Sequence, residues 1–302
     1  MRSGVRQWRV EIGGSGDRSG CAPGEIALLD WGGDGPVALL HHANGFCAAL
    51  FAGVALALRS KFRVIALDAR GHGDSCAVAD IEGFGWSDLA KDLEAVADAV
   101  VAELGVERIA LGLGHSFGGS LTAVVASKRP FLYERIAMVD PVVFPRAVSD
   151  AVTAHGRELV ERTLRRRRHF ESREQARAHF SGRALFEAWQ PWAFDGYVEE
   201  GMRAAPGGGV ELKCAPELEA QIFGGARNLD LHVAASTLKV PALCLFATGG
   251  NFDRALHADW VSRMQKGELR DIEGGHLVPM EDPARVAFAV LEFCASAREG
   301  GS

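Results

Sequence analysis

Residues 109–119 read Ile-Ala-Leu-Gly-Leu-Gly-His-Ser-Phe-Gly-Gly. An apolar run stops at Gly114, a serine follows two residues later, and two further glycines lead into a helical pattern from Ser120 to Ala126. The spacing predicts a strand, a sharp turn and the start of a helix. It fills the pattern Gly-x-Ser-x-Gly with Gly114, Ser116 and Gly118, the nucleophile elbow. A serine in so tight a turn is forced into strained backbone with its hydroxyl exposed, so the residues two before and two after it must lack colliding side chains. The turn also sets Ser116 at a helix N-terminus, where free N–H groups and the helix dipole favour negative charge developing on a bound carbonyl oxygen. A glycine-rich turn without chemistry is the plain alternative, and context has to decide between them.

Outward from this stretch the chain alternates. Residues 37–42 and 62–68 are short continuous apolar runs, as expected of strands buried on both faces by helices. Between them 48–58 is a short helical stretch, and 86–103 carries Leu89, Leu93, Val96, Val100 and Val101 on one broad helical face. Past the helix of 119–128, residues 134–139 form a further buried strand closed by Asp140-Pro141. Such alternation implies right-handed crossovers and a parallel sheet. Before it, 5–12 and 25–31 predict two antiparallel strands at one edge, joined by a Gly- and Ser-rich loop over 13–24.

From about 144 to 236 the rhythm breaks. The segment is polar and helical, with charges over 157–177, aromatics from Phe180 to Tyr197 and no strand-like apolar run. It predicts an inserted helical cap over 144–236, with 206–209 as an internal loop. The arginine run 165–168 reads as a solvated helix face in preference to an anion site. The sheet resumes with 240–247, followed by a helix at 254–264, a strand at 268–272 and a closing helix at 283–297, with 298–302 as a frayed tail. The expected architecture is an α/β fold with a core made of 1–143 and 237–302.

A net charge of −6, from 39 acidic and 33 basic residues, argues against nucleic acid as an obligate partner. Six scattered cysteines without a Cys-x-x-Cys pair suit reduced thiols in a cytoplasmic protein better than a disulfide framework or a zinc site. No apolar run approaches a membrane span, and the arginine-bearing N-terminus lacks the apolar stretch of a secretory signal.

A serine is a weak nucleophile at neutral pH; it needs a base to take its proton and an anion to orient that base. Of ten histidines, His276 stands out, in Gly274-Gly275-His276-Leu277 between the last predicted strand and the final helix. With these residues in place the chain resembles the α/β-hydrolase superfamily, in its cap-bearing branch. The resemblance rests on His42-Ala43-Asn44-Gly45-Phe46, on Asp68-x-Arg70-Gly71-His72-Gly73-x-Ser75, on the elbow and on Gly275-His276, and covers nearly the whole chain outside the cap.

The resemblance implies a mostly parallel eight-stranded sheet and a Ser-His-Asp triad with Ser116 as nucleophile and His276 as base. It implies Asp253, after the strand at 240–247, as the acid, with Asp140 as the alternative position used by some relatives. It places the oxyanion hole at the backbone N–H groups of Phe117 and Asn44. Ala43 stands where the family has glycine and an extra Gly45-Phe46 follows, so Phe46 is a second candidate donor. His41, His42 and His72 read as loop-bracing hydrogen-bonders. In the cap, Trp189, Trp192, Phe194 and Tyr197 are candidates for lining the substrate pocket, against the alternative that they pack its helices. The implied function is a cofactor-independent, metal-free serine hydrolase of a small to medium, largely apolar ester or related acyl compound. Carbon–carbon bond hydrolysis of diketone-type substrates and non-catalytic ligand binding on the same fold are the rivals.

Overall fold

The computed structural model describes residues 4–12, 24–146, 150–225 and 229–299. Strands β1 (Arg6–Ile12) and β2 (Gly24–Gly32) pair antiparallel, Arg6 opposite Asp30 and Ile12 opposite Gly24; the loop expected between them lies outside the described residues. There follow β3 (Val37–His41), α1 (Ala52–Leu58), β4 (Arg63–Leu67), α2 (Trp86–Leu104), β5 (Leu111–His115), α3 (Phe117–Lys128) and β6 (Ile136–Val139).

The intervening segment then carries α4 (Asp150–Leu164), β7 (His169–Phe170), α5 (Arg173–Phe180), α6 (Pro191–Glu200), β8 (Met202–Ala204), β9 (Val210–Leu212), α7 (Pro216–Gly224) and α8 (Leu231–Thr237). The chain closes with β10 (Ala242–Ala247), α9 (Arg254–Ser262), β11 (Gly267–Ile272), α10 (Val278–Glu281) and α11 (Pro283–Glu299). Arg298 and Glu299 thus belong to α11, and residues 300–302 of the expected tail lie outside the described residues.

The main sheet has eight strands in the order β1-β2-β4-β3-β5-β6-β10-β11, parallel from β4 through β11. Its period-two pattern sorts side chains onto two faces. Ala38 and Leu40 of β3, Val64 and Ala66 of β4, and Leu243 and Leu245 of β10 join one core with α1 and α11, built on Val54, Leu58, Val286, Val290 and Phe293. Val37 and Leu39, Ile65 and Leu67, and Ala242 and Cys244 join the other with α2, α3, α8 and α9. Strands buried on both faces explain why these runs are apolar throughout instead of alternating.

Chain order reverses at the centre: β4 lies on one side of β3 and β5 on the other. The loops that leave the carboxyl ends of β3 and β5 therefore diverge and open a crevice, the usual place for a ligand in an open parallel sheet.

The segment between β6 and β10 is not purely helical. It holds a three-stranded antiparallel sheet in the order β7-β9-β8, whose strands of two and three residues are too short to show an alternating pattern. The loop expected at 206–209 is the turn joining β8 to β9, closed by Ala205 N–H on the Gly209 carbonyl. Helix α8, inside the span expected to be cap, packs on the same core face as α3 through Leu231, Ala234 and Ala235. Among the described residues no helix is long and apolar enough to cross a membrane.

Candidate active site

The elbow forms where the sequence places it. β5 ends at His115 and α3 begins at Phe117, so Ser116 alone makes the turn, at φ 55° and ψ −125°. Such a conformation costs a non-glycine residue on the order of 1–3 kcal/mol and persists only when its surroundings dictate it. Here they do: a Cβ at Gly114 would run into the Gly118 carbonyl, and one at Gly118 into the carbonyls of His41 and His42. The two glycines let strand, helix and the β3 end close around the serine.

Two side chains complete a hydrogen-bonded chain. Ser116 Oγ lies 3.0 Å from His276 Nε2, and His276 Nδ1 lies 2.7 Å from Asp140 Oδ2. His276 sits on the loop between β11 and α10, and Asp140 directly follows β6, the neighbour of β5 in the sheet. Asp140 is fully buried, at φ 42°, a left-handed geometry that a short polar side chain tolerates. Its other oxygen accepts the Ala247 N–H at 3.0 Å. The expectation favouring Asp253 is corrected on geometry. That side chain caps the N-terminus of α9, accepting the Ala255 N–H at 2.8 Å, while Asp140 takes the place beside His276.

Of the three backbone donors proposed for an oxyanion, Phe46 is occupied, since its N–H bonds the Ala43 carbonyl at 3.2 Å. Phe117 is the first residue of α3, so its N–H has no acceptor within the helix. Asn44 is held by its side chain, Nδ2 donating to the Glu219 carbonyl at 3.0 Å. The neighbouring Gly45 N–H bonds His72 Nε2 at 3.1 Å.

The motif after β4 supplies braces. Asp68 accepts the N–H groups of Ala48 and Asp74, tying the β3 and β4 loops together. Arg70 makes a bidentate pair with Asp92 of α2 at 2.8 and 2.7 Å. His42 bridges the Ala43 carbonyl and the Ala69 N–H. Burial pushes His41 and His72 down to about 4 and His42 well below its ordinary value, so these rings are neutral bracing groups.

The four aromatics expected at a substrate pocket part company. Trp189 and Tyr197 are buried and pack around Phe46, tilted and edge-on, with ring centroids 5.6 and 6.0 Å from it. Phe194 packs on Phe186 beneath the Arg177 guanidinium. Trp192 closes over Gly53 of α1, where Pro283 of α11 also packs, joining the segment to the core. The space behind Phe46, shared with Leu50, Phe51, Met280, His42 and His115, is about 10 Å³, room for about one water.

Other groups carried no sequence signal. Phe252 sets its ring edge-on to His276 at 5.0 Å. Arg166, in the arginine run expected to face solvent, is drawn inward to Glu219 and donates to the Tyr197 hydroxyl at 2.7 Å. Burial pushes Glu219 up against the pull of Arg166, and its carboxylate leaves no space at Gly45, where a Cβ would lie 2.6 Å from Oε1.

A family model described as "Alpha/beta hydrolase family" matches residues 38–290. Protein phosphatase methylesterase 1 of Bos taurus is 36% identical over 98 residues, 32% of this chain and 25% of that protein. The chain thus spans about a quarter of the length of the first curated relatives it matches. A serine hydrolase-like protein of Danio rerio is 24% identical over 251 residues, 78% of this chain and 74% of that one. Among solved structures, E-2-(acetamidomethylene)succinate hydrolase superposes with a TM-score of 0.80 at 22% identity, covering 96% of this chain and 99% of that one, a likeness of fold. The eight-stranded sheet, with the serine turn at its centre, and the match across most of its length make this chain a member of the alpha/beta hydrolase family.

Proposed function

We propose that the protein is a cofactor-independent serine hydrolase of a small to medium, largely apolar ester or related acyl compound. The observation that carries this is the continuous chain from Ser116 Oγ through His276 to Asp140, with bonds of 3.0 and 2.7 Å. In this reading His276 Nε2 takes the Ser116 proton as Oγ attacks the substrate carbonyl carbon. Asp140 fixes the imidazole with Nε2 toward the serine and stabilises its charged form. The N–H groups of Phe117 and Asn44 receive the oxyanion. His276 then passes the proton to the leaving group, and water, deprotonated by the same imidazole, releases the acid from Ser116.

The intervening segment acts as a cap. It supplies Trp189 and Tyr197 around Phe46, an apolar wall with few orienting polar groups, which suits selection by size and shape. The scattered cysteines of the sequence, with no Cys-x-x-Cys pair, suit a reducing, cytoplasmic setting. The methylesterase name of a partial relative is in keeping with ester chemistry.

The test is Ser116→Ala, assayed with a panel of activated esters of increasing acyl length and with a fluorophosphonate probe. Turnover should fall by a factor on the order of 10⁴–10⁶ and covalent labelling should vanish. Near-normal turnover by a folded variant removes the reading. Labelling of the unaltered protein without turnover of any ester would point instead to a ligand-binding protein that retains the constellation.

A further inference from the structure

His276 is held by more than its ring. Its carbonyl oxygen accepts the Nε2–H of His115 at 2.7 Å. One residue earlier, the Gly275 N–H donates to Glu281 Oε2 at 2.7 Å. The backbone is therefore gripped before and after residue 276 by side chains outside the Ser116–His276–Asp140 chain.

Each grip comes from an element with a fixed place. His115 is the last residue of the central strand β5, is buried, and precedes Ser116 directly. Its imidazole, pushed by burial to about 3, is neutral at any pH at which the protein would work, and its ring lies 5.2 Å from that of His276. The position of the base is thus referred to the residue beside the nucleophile. Glu281 ends α10, a helix bonded to the inserted segment through Gln190, whose N–H and Nε2 reach the carbonyls of Met280 and Glu281, both at 2.9 Å.

Two glycines precede the base. Gly274 sits at φ 138°, where side chains are rarely accommodated, and a Cβ on Gly275 would lie 2.7 Å from Glu281 Oε1. Glycine backbone has wide conformational latitude, so contacts from outside the pair help to fix where the base sits. A misplacement of about 1 Å costs on the order of 100-fold in rate.

We propose that His115 and Glu281 are positioning residues for His276, setting the distance and direction of its Nε2 from Ser116 Oγ. The inference rests on the serine-hydrolase reading above. It makes the placement of the base depend on the inserted segment, because Gln190 fixes the helix that carries Glu281.

The test uses the full chain with Glu281→Ala and His115→Leu, which remove the bonds. Glu281→Gln and His115→Gln keep an acceptor and a donor in the same places. Turnover of an activated ester, fluorophosphonate labelling rate and melting temperature are measured on all four, with Ser116→Ala alongside. The first pair should lose about 10- to 100-fold in kcat and in labelling rate with KM little changed, and the glutamine pair should recover most of it. Variants that melt earlier but keep kcat and labelling would show a purely structural brace. Glutamine variants as slow as the first pair would also overturn the proposal, even if the first pair folds poorly. Labelling that survives Ser116→Ala takes down the nucleophile assignment and this inference with it. Loss of labelling there, with full rates in the other four, refutes the positioning role alone.

Discussion

Asp140 and Asp253 have the same side chain in settings that give them different work. Asp140 is buried between the Ala247 N–H and the His276 ring, whereas Asp253 is exposed at the start of α9 and satisfies the Ala255 N–H. Asn in place of Asp140 should therefore lower kcat by a factor on the order of 10⁴, since an amide neither carries the charge nor fixes the tautomer. Asn in place of Asp253 should leave kcat within about twofold, because asparagine caps a helix as well as aspartate does. Steady-state kinetics on the two purified variants checks the ranking, and a larger loss at position 253 would move the acid there. At this scale the meeting of Ser116 with His276 was legible because glycines and chain order flank them. The acid was not: two aspartates follow two adjacent strands, and which one meets the imidazole depends on loop geometry. One local cue did exist, an aspartate immediately before the predicted helix at 254, which is an N-cap signature.

Among the elements, those between β6 and β10 hold the surprises. Trp189 is buried amid Phe46, Phe186 and Tyr197, so Trp189→Ala should cost about 3–5 kcal/mol in urea unfolding, more than a residue that merely lines an open pocket would. An accompanying shift in preferred acyl length, read across an ester series, would show that the same wall also meets substrate. The Arg166–Glu219 pair ties the chain after α4 to α7, whose Glu219 backbone carbonyl in turn holds Asn44. Glu219→Ala leaves the half-buried Arg166 cation without its partner and should destabilise by about 3–5 kcal/mol, while the double exchange Arg166→Met with Glu219→Leu should cost much less. Equal losses in the single and double variants would show that the charge pairing is incidental. The core helices and strands were legible because their apolar periods are long and sustained. The strands β7, β8 and β9 were not, since two or three residues carry no period, and four consecutive arginines look solvent-facing until a carboxylate far along the chain draws one inward.

Over the whole molecule four buried imidazoles act in the same sense in response to acid. An unfolded histidine titrates near 6.5, whereas burial holds His41 and His72 near 4, His115 near 3 and His42 well below its ordinary value. Below pH 6.5 the unfolded chain takes up protons that the folded one refuses, so stability is complete above that pH and is lost as pH falls toward 4. The slope is about 1.4 kcal/mol per pH unit for each histidine. Glu219 and Asp92, raised by burial, work in the opposite sense but are the smaller group. Thermal melts between pH 7.5 and 4.5 should show a steep decline beginning near 6.5. Replacing His41 by Asn, which keeps a donor where Nδ1 stands, should flatten that slope by about one quarter. An unchanged slope would mean that His41 takes up its proton in the folded state as readily as in the unfolded one.

The inserted segment leaves the sheet after β6 and returns through α8 to β10, and β6 and β10 are hydrogen-bonded neighbours. Departure and return on adjacent strands mean that no strand register depends on what lies between them. The stretch can be lengthened, shortened or traded for another without threading the chain differently, so it can diverge as a cassette while Ser116, Asp140 and His276 stay on the invariant frame. Any replacement has to rebuild contacts with the core, among them those of Glu219 on the Asn44 loop, of Gln190 on α10 and of Gln221 on the Phe84 carbonyl ahead of α2.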